Sequence, residues 1–336
     1  MSMSPSAIPI ARPARPTMTA VVQDRYGSAD VLQTRAIDRP EIADNEVLVR
    51  VRAASIHIGD WVLMTGVPFV MRLGTGLSRP KVRVPGTDVA GTVEAVGPDV
   101  QGLQPGDDVF GWCTGAFAEY AHASAQQFVR KPVSLTFEQA AAVGVSATTA
   151  LQLLRDDGKV QRGQRVLING ASGGVGTFAV QIAKMLGAEV TGVCSTKNVE
   201  LVRSIGADHV VDYTREDFRK GAERYDVILD NVGDHSMSAT RRVLTPNGTL
   251  ISNGGGHAGG KLGRVVRGAL ASAFVRQQAP PSVKTHNRAD LVALKNAVEA
   301  GSVTPVIGGT YPLGRTAEAI AHVAAGHAQG TVVIAV

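Results

Sequence analysis

Gly170, Gly173 and Gly176 stand at three-residue intervals in NGASGGVG, with Gly174 beside them. The run before them, RVLIN (165–169), reads as a strand, and TFAVQIAKMLG after them reads as a helix. Glycine at such a handover permits a tight turn and lets the backbone touch a ligand. The exposed N–H groups of the helix start offer that ligand partial positive charge. In this setting G-x-x-G-x-x-G suits the cradling of a pyrophosphate. The plainer alternative is a glycine-rich turn that holds nothing.

The second strand, EVTGVC, ends at Ser195, Thr196, Lys197 and Asn198. An NAD site ordinarily carries an acid there to grip the ribose 2′-OH. None is present, and Glu189 lies at the strand's other end. Hydroxyls and an ammonium suit a 2′-phosphate, which a carboxylate would repel. Tyr213, closing the third strand, adds a phenol donor. NADPH is therefore the expected cofactor, with an ordinary surface lysine as the alternative for Lys197. Asn231, in ILDNVG, and Gly254 and Gly255, in ISNGGG, end later strands. They are candidates for the nicotinamide half, or simple turn residues.

His57, in ASIHIGDW, is the candidate catalytic side chain. It could donate to a substrate oxygen or deliver a proton. It could equally cap a turn. Tyr26 and Trp61 could line the same cleft or simply pack. Cys113 carries no sequence sign of a depressed pKa. Cys113 and Cys194 are the two cysteines, with no CxxC pair and no disulfide framework. His57, Asp88 and Cys113 are the conceivable metal set, and their spacing matches no zinc pattern. No metal is expected.

The elements that must position these residues follow from length and pattern. At roughly 100–200 residues per domain, 336 residues suggest two domains. With 44% hydrophobic and 19% charged residues, a sizeable core can form. The net charge of +5 is scattered, with no Lys/Arg block interleaved with aromatics, so nucleic acid is not an expected partner. No apolar run reaches the length of a membrane span. The start, MSMSPSAIPIARPARP, lacks a secretory apolar core, and its prolines oppose an amphipathic helix. It reads as a disordered leader over 1–17, with Met18 an alternative start. Two lone thiols suit a reducing compartment, and a cytoplasmic location is expected.

From Thr19 to about Lys131, short β runs bounded by Gly, Pro and Asp read as a partly open barrel. Residues 66–84 break the rhythm as a long loop with a basic tail. Helical spacing begins at 134–156. Strands at 165–169, 189–194, 209–213, 225–231 and 248–253 then alternate with helices near 174–186, 197–205, 214–222 and 236–243. That alternation predicts a doubly wound parallel sheet. Helices near 287–300 and 315–325 and the strand GTVVIAV follow, and this tail is expected to return to the first domain.

With these residues in hand the chain resembles the medium-chain dehydrogenase/reductase superfamily. It looks closest to the zinc-free quinone oxidoreductase-like branch, including the reticulon-interacting NADPH oxidoreductases. PGTDVAGTVEAVGPDVQGLQPGDDVFG, the 167–213 stretch and GHAQGTVVIAV carry the likeness. The resemblance implies an α/β fold: a GroES-like β-barrel domain (18–135 and 276–336) and a Rossmann domain (136–275), with the active site between them. It implies cofactor roles for Ser172, Gly173, Gly174, Val175, Ser195, Lys197, Tyr213, Asn231, Gly254, Gly255, His327, Ala328 and Gln329. Thr149, on the helical stretch, joins these candidates. The family more often has Arg at Gln329. Zinc-dependent members carry an early Cys and a Gly-His-Glu. Here the first position lies in ASIHIGDW and the second reads GTD (86–88). Relatives commonly dimerise through Rossmann edge strands.

Without zinc no Lewis acid polarises a simple ketone. The implied acceptor is a quinone or an α,β-unsaturated carbonyl, whose negative charge spreads onto a remote oxygen. The alternatives are an NADPH-binding redox sensor or interaction module with little turnover, and a zinc-type alcohol dehydrogenase.

Overall fold

The computed structural model describes residues 15–253 and 284–336. Gly254, Gly255 and residues 1–14 lie outside them. Strands β1 (Thr17–Gln23) and β2 (Leu32–Asp38) form an antiparallel ribbon. Strand β3 (Glu46–Ile56) alternates as EVLVRVRAASI; Val49, Val51 and Ala53 are buried while Arg50 and Arg52 face out, so one face must meet a core. Helices α1 (Ile58–Thr65) and α2 (Arg72–Thr75) follow. Then come β4 (Asp88–Val96), β5 (Asp108–Trp112), β6 (Tyr120–Ser124) and β7 (Phe128–Arg130). The segment expected as one long loop, 66–84, contains a 3-10 turn at Phe69–Met71 as well as α2.

Helix α3 (Phe137–Gln152) starts on a capping box: the Gln139 N–H donates to Thr136 Oγ1 at 3.2 Å, and the Thr136 N–H donates to Gln139 Oε1 at 3.0 Å. Five parallel strands and their helices come next: β8 (Arg165–Asn169), α4 (Gly174–Met185), β9 (Glu189–Cys194), α5 (Val199–Ser204), β10 (His209–Asp212), β11 (Tyr225–Asp230), α6 (Met237–Arg241) and β12 (Leu244–Ser252). The sheet order is β10-β9-β8-β11-β12. Connections reverse direction at β8, and a crevice opens outside the carboxyl ends of β8 and β11. Val166, Leu167 and Ile168 are wholly buried, as a parallel sheet covered on both faces demands.

The chain ends with α7 (Arg288–Glu299), β13 (Ile307–Pro312), α8 (Thr316–Ala324) and β14 (Thr331–Ala335). Strand β14 pairs antiparallel with β3, Val332 opposite Ile56, and the tail thereby closes the β13-β14-β3-β4-β5-β7 sheet. Strand β6 pairs with the other end of β3. Helix α3 lies between the two sheets, against β3, β4 and β5 on one side and α4 on the other. One apolar cluster accordingly runs from Ala53, Ala90 and Phe110 through Ala147 to Ile168 and Phe178.

Two further expectations change. No helix spans 214–222; a single 3-10 turn forms at Phe218–Lys220. Side chains there satisfy the backbone locally: the Thr214 N–H donates to Asp212 Oδ1 at 3.0 Å and the Arg219 N–H to Asp217 Oδ1 at 3.0 Å, in competition with helix hydrogen bonds. The strand expected to start at 248 starts at Leu244.

Helix α4 approaches the turn before it so closely that a Cβ at Gly176 would stand 2.0 Å from Gly170 O and 2.8 Å from Ala171 C. Backbone cannot give way as a side chain can. Gly176→Ala is expected to lower stability by at least about 2 kcal/mol in denaturant unfolding, and a change below about 0.5 kcal/mol would contradict this packing.

Candidate active site

The handover from β8 to α4 is a turn whose N–H groups are sorted by position. Gly170 sits at φ +76°, where a side chain would be strained. The N–H groups of Gly170 and Ala171 both donate to Val193 O, at 3.1 and 3.0 Å, tying the turn to β9. Gly173 is the N-cap of α4, and no side chain caps it, so the helix's first N–H groups stay open to an anion. A Cβ at Gly173 would have Gly170 O at 3.7 Å as its nearest neighbour, and one at Gly174 would meet Ser146 Oγ, Gly330 O and Thr331 Oγ1 at 3.4–3.7 Å. That is a cradle with room above it and polar atoms around its rim.

The rim is built from distant segments. The Gly330 N–H donates to Ser172 O at 2.7 Å, and Gly330 bridges Gly173. This brings Gln329, the preceding residue, up to the turn; Ala328 packs against the apolar cluster that holds Val332 and Ile334, and His327 is exposed. Thr149 lies three residues on from Ser146, on the same face of α3. Asn231 follows β11, and its N–H donates to Asn169 O at 3.2 Å beside the turn. Its Oδ1 accepts from Asn253, while its buried Nδ2 has no partner among the described residues. Thr331 Oγ1 is likewise buried and unpartnered there. Buried polar atoms rarely go unsatisfied, and those beside a ligand crevice are ready contacts. The donor set and the open glycine backbone fit a dinucleotide.

At the far end of β9 the candidates divide. Ser195 is half-buried and Lys197 exposed, with no ion pair to Lys197 among the described residues. Thr196 is committed elsewhere: its hydroxyl donates to Asp212 Oδ2 at 2.6 Å. Asp212 also accepts from Thr214 and pairs with Arg215 at 3.4 Å. The Thr196 and Thr214 hydrogen bonds hold its carboxyl below the usual range. The Tyr213 N–H donates to Cys194 O, and its side chain is exposed at the end of β10.

A second cluster forms where β3, β4, α1 and α3 meet. His57 is the N-cap of α1, and its N–H donates to Asp60 Oδ2 at 2.9 Å. Its ring is largely covered, with Nε2 3.5 Å from Asp60 Oδ2 and without a hydrogen-bond partner among the described residues. Asp60 is buried; burial pushes its carboxyl up, against the opposing pull of His57. Asp88, also buried, accepts from Ser55 Oγ at 2.8 Å and from the Val145 N–H at 2.9 Å. Burial raises it to about 6, while His57, Ser55 and the Val145 N–H pull down. The carboxylate reaches the helix because position 144 is glycine: a Cβ there would stand 2.3 Å from Asp88 Oδ1. Cys113 is buried, and burial, then Asp88, pushes its thiol up. His286 stacks on Trp112 with centroids 4.8 Å apart, and burial, then His57, lowers its pKa.

Helix α3 and strand β14 join the two clusters. Gly144 lies against Asp88 while Ser146 faces the Gly174 cradle. Gly330 touches the cradle while Val332 pairs with Ile56, the residue before His57.

Comparison with known proteins agrees with this architecture. Residues 43–133 match the family described as alcohol dehydrogenase GroES-like domain, and 205–334 match that described as zinc-binding dehydrogenase. The mouse mitochondrial NAD(P)H oxidoreductase RTN4IP1 is 36% identical, over 94% of this chain and 89% of its own. The chain belongs to the medium-chain dehydrogenase/reductase superfamily. Tomato 2-methylene-furan-3-one reductase is 32% identical, over 92% of this chain and 76% of its own. The structure of the quinone oxidoreductase from Coxiella burnetii superposes with a TM-score of 0.83 at 29% identity, covering 96% of this chain and all of that one. This medium-chain dehydrogenase/reductase is an NAD(P)H-dependent oxidoreductase with a GroES-like domain and a Rossmann-type sheet. Among its described residues no helix is long and apolar enough to cross a membrane.

Three residues of this medium-chain dehydrogenase/reductase escaped the sequence reading. Asp60 had a signal, the three-residue spacing from His57 that a capping box uses. Asn198 stood only as one residue of the run after EVTGVC. His286 carried no local pattern at all.

Asp88 gives the superfamily member a pH signature. Its folded value, about 6, lies above the ordinary 3.8, so the native state holds a proton that the unfolded chain has released. Its stabilising contribution is full below pH about 4 and is lost as pH rises through about 6, amounting to about 3 kcal/mol. Asp88→Asn has no such proton. Its stability relative to the parent should climb by that order between pH 4 and 7 in urea titrations, and a constant difference would contradict the assignment.

Proposed function

We propose that the chain is a zinc-independent NADPH-dependent reductase of conjugated carbonyl acceptors, quinones or α,β-unsaturated carbonyls. The observation that carries the cofactor half is the end of β9. Ser195 and Lys197 stand open there, and the nearby acid, Asp212, is satisfied by Thr196, Thr214 and Arg215. A dianionic 2′-phosphate would meet donors and an ammonium that is unpaired among the described residues. The pyrophosphate would lie on the N-terminus of α4, over Gly173, Gly174 and Val175, with Ser172 beside it. Tyr213 would flank the adenosine end. Asn231, Thr149 and His327–Gln329 would border the nicotinamide side. When bound, the cofactor supplies hydride.

Two of the three side chains that could have formed a metal set are otherwise engaged, which supports the zinc-independent reading. Both oxygens of Asp88 are used, and Cys113 is held as a thiol by burial. His57 keeps Nε2 without a hydrogen-bond partner among the described residues and 3.5 Å from Asp60 Oδ2. That nitrogen is the group to donate to the acceptor's oxygen as charge develops, with Asp60 fixing the His57 backbone N–H. The names of the tomato and Coxiella proteins, a reductase of a 2-methylene-furan-3-one and a quinone oxidoreductase, support an acceptor of this class.

The test is NADPH oxidation by the full chain against a panel of quinones and enals, with metal content measured on the same preparation. Turnover at sub-stoichiometric zinc is expected. Tight NADPH binding without turnover of any conjugated acceptor would sink the acceptor assignment, and activity that tracks zinc would sink the other half. Replacing Ser195 and Lys197 together with Ala should weaken NADPH by about 100-fold, as two charge-assisted contacts imply, and NADH by far less. Equal losses for both nucleotides would defeat the 2′-phosphate assignment.

A further inference from the structure

Asn198 stands between two serines that come from different strand ends. Ser172 belongs to the turn after β8, and Ser195 follows β9. The Asn198 Nδ2 donates to Ser172 Oγ at 2.9 Å and to Ser195 Oγ at 3.3 Å. The residue is 6% exposed, and its own N–H is fixed on Ser195 O at 2.9 Å. An asparagine preceding a helix ordinarily turns its side chain to cap it. Here no cap bond forms, and the amide is turned inward onto the two hydroxyls.

A serine hydroxyl has one proton to give and two lone pairs to receive. Each hydroxyl that accepts from Asn198 has a lone pair filled on that side, so its proton points elsewhere. Among the described residues neither Ser172 Oγ nor Ser195 Oγ donates to a protein acceptor. Two hydroxyl protons are therefore left for an outside acceptor, at the pyrophosphate cradle and at the end of β9.

We propose that Asn198 is a positioning residue for the cofactor: one amide sets both serines as donors, Ser172 toward the pyrophosphate and Ser195 toward the 2′-phosphate of NADPH. The assignment rests on the NADPH reading above. It goes further by giving nucleotide preference to a residue that touches neither phosphate. The amide's orientation matters. With an oxygen facing the serines, both hydroxyls would donate to it and be lost to the ligand. Asn198→Asp enforces that state at constant shape.

The experiment is equilibrium titration of nicotinamide fluorescence in the full chain with NADPH and with NADH, alongside thermal melts. Asn198→Ala should weaken NADPH by about 10-fold and NADH by less, since the second ligand loses the Ser172 donor alone. Asn198→Asp should weaken NADPH by about 100-fold or more through added repulsion, with a melting temperature near the parent's. In a Ser195→Ala background, Asn198→Ala should no longer alter the ratio of NADPH to NADH affinity. Equal weakening of both nucleotides by Asn198→Ala, or full additivity with Ser195→Ala, would overturn the proposal and leave Asn198 a packing residue. A parent that binds NADH as tightly as NADPH would instead sink the cofactor reading. The bridge is then judged on NADH with Ser172→Ala and Asn198→Ala: non-additive losses uphold it and additive losses overturn it. Should Asn198→Ala not fold, Asn198→Asp with Asn198→Gln answers the same question, restored NADPH preference in the Gln variant supporting the bridge and equal losses in both opposing it.

Discussion

How closely α3 can lie against β4 governs the rest of this molecule. The helix has no side chain at position 144, and a buried carboxylate from Asp88 fills the gap and takes the Val145 N–H. The contact is a polar one inside an apolar seam, where an unpaired carboxylate would be costly. Its two oxygens are therefore both satisfied, by Ser55 and by the helix backbone. With that face of α3 committed to the GroES-like sheet, Ser146 is left to face α4 and the glycine cradle. One helix thereby sets the distance between the Rossmann-type sheet and the GroES-like sheet whose strand β3 leads into His57.

Strand β14 makes the same connection by a different route. Gly330 sits at φ +58° and hydrogen-bonds the cradle at Ser172, and two residues later Val332 is paired with β3. A Cβ at Gly330 would stand 2.4 Å from Val306 O. The tail thus passes from one site cluster to the other within a single short strand. The base of the cleft is thus defined by hydrogen-bonded strands and a shared helix.

The polar groups around the cleft fall into satisfied and unsatisfied sets. Asp212, Asp88 and Thr196 are spent on neighbours. Asn231 Nδ2, Thr331 Oγ1 and His57 Nε2 are buried and open among the described residues. Folding such groups without partners is unfavourable, and a ligand that supplies partners recovers the loss.

Much of this was legible in the chain. Glycine spacing between a strand-like and a helix-like run dictated the cradle, because few other residues allow backbone so near a phosphate. The end of EVTGVC, with Ser195 and Lys197 where an acid would ordinarily stand, was likewise visible as residue type, and the structure leaves Lys197 without an ion pair among the described residues. Alternation in β3 and continuous apolar runs in β8 dictated the two sheet types, since burial on one face or two leaves different patterns. Other features were settled only by tertiary structure. That Thr196 faces Asp212, and that the inward amide is Asn198, depends on which strand lies next to β9. The coupling of His57 to Asp88 and His286 joins segments remote in sequence. Residue type announces what a side chain can donate or accept; whether the offer is taken by a neighbour or kept for a ligand depends on contacts that exist only once the chain has closed on itself.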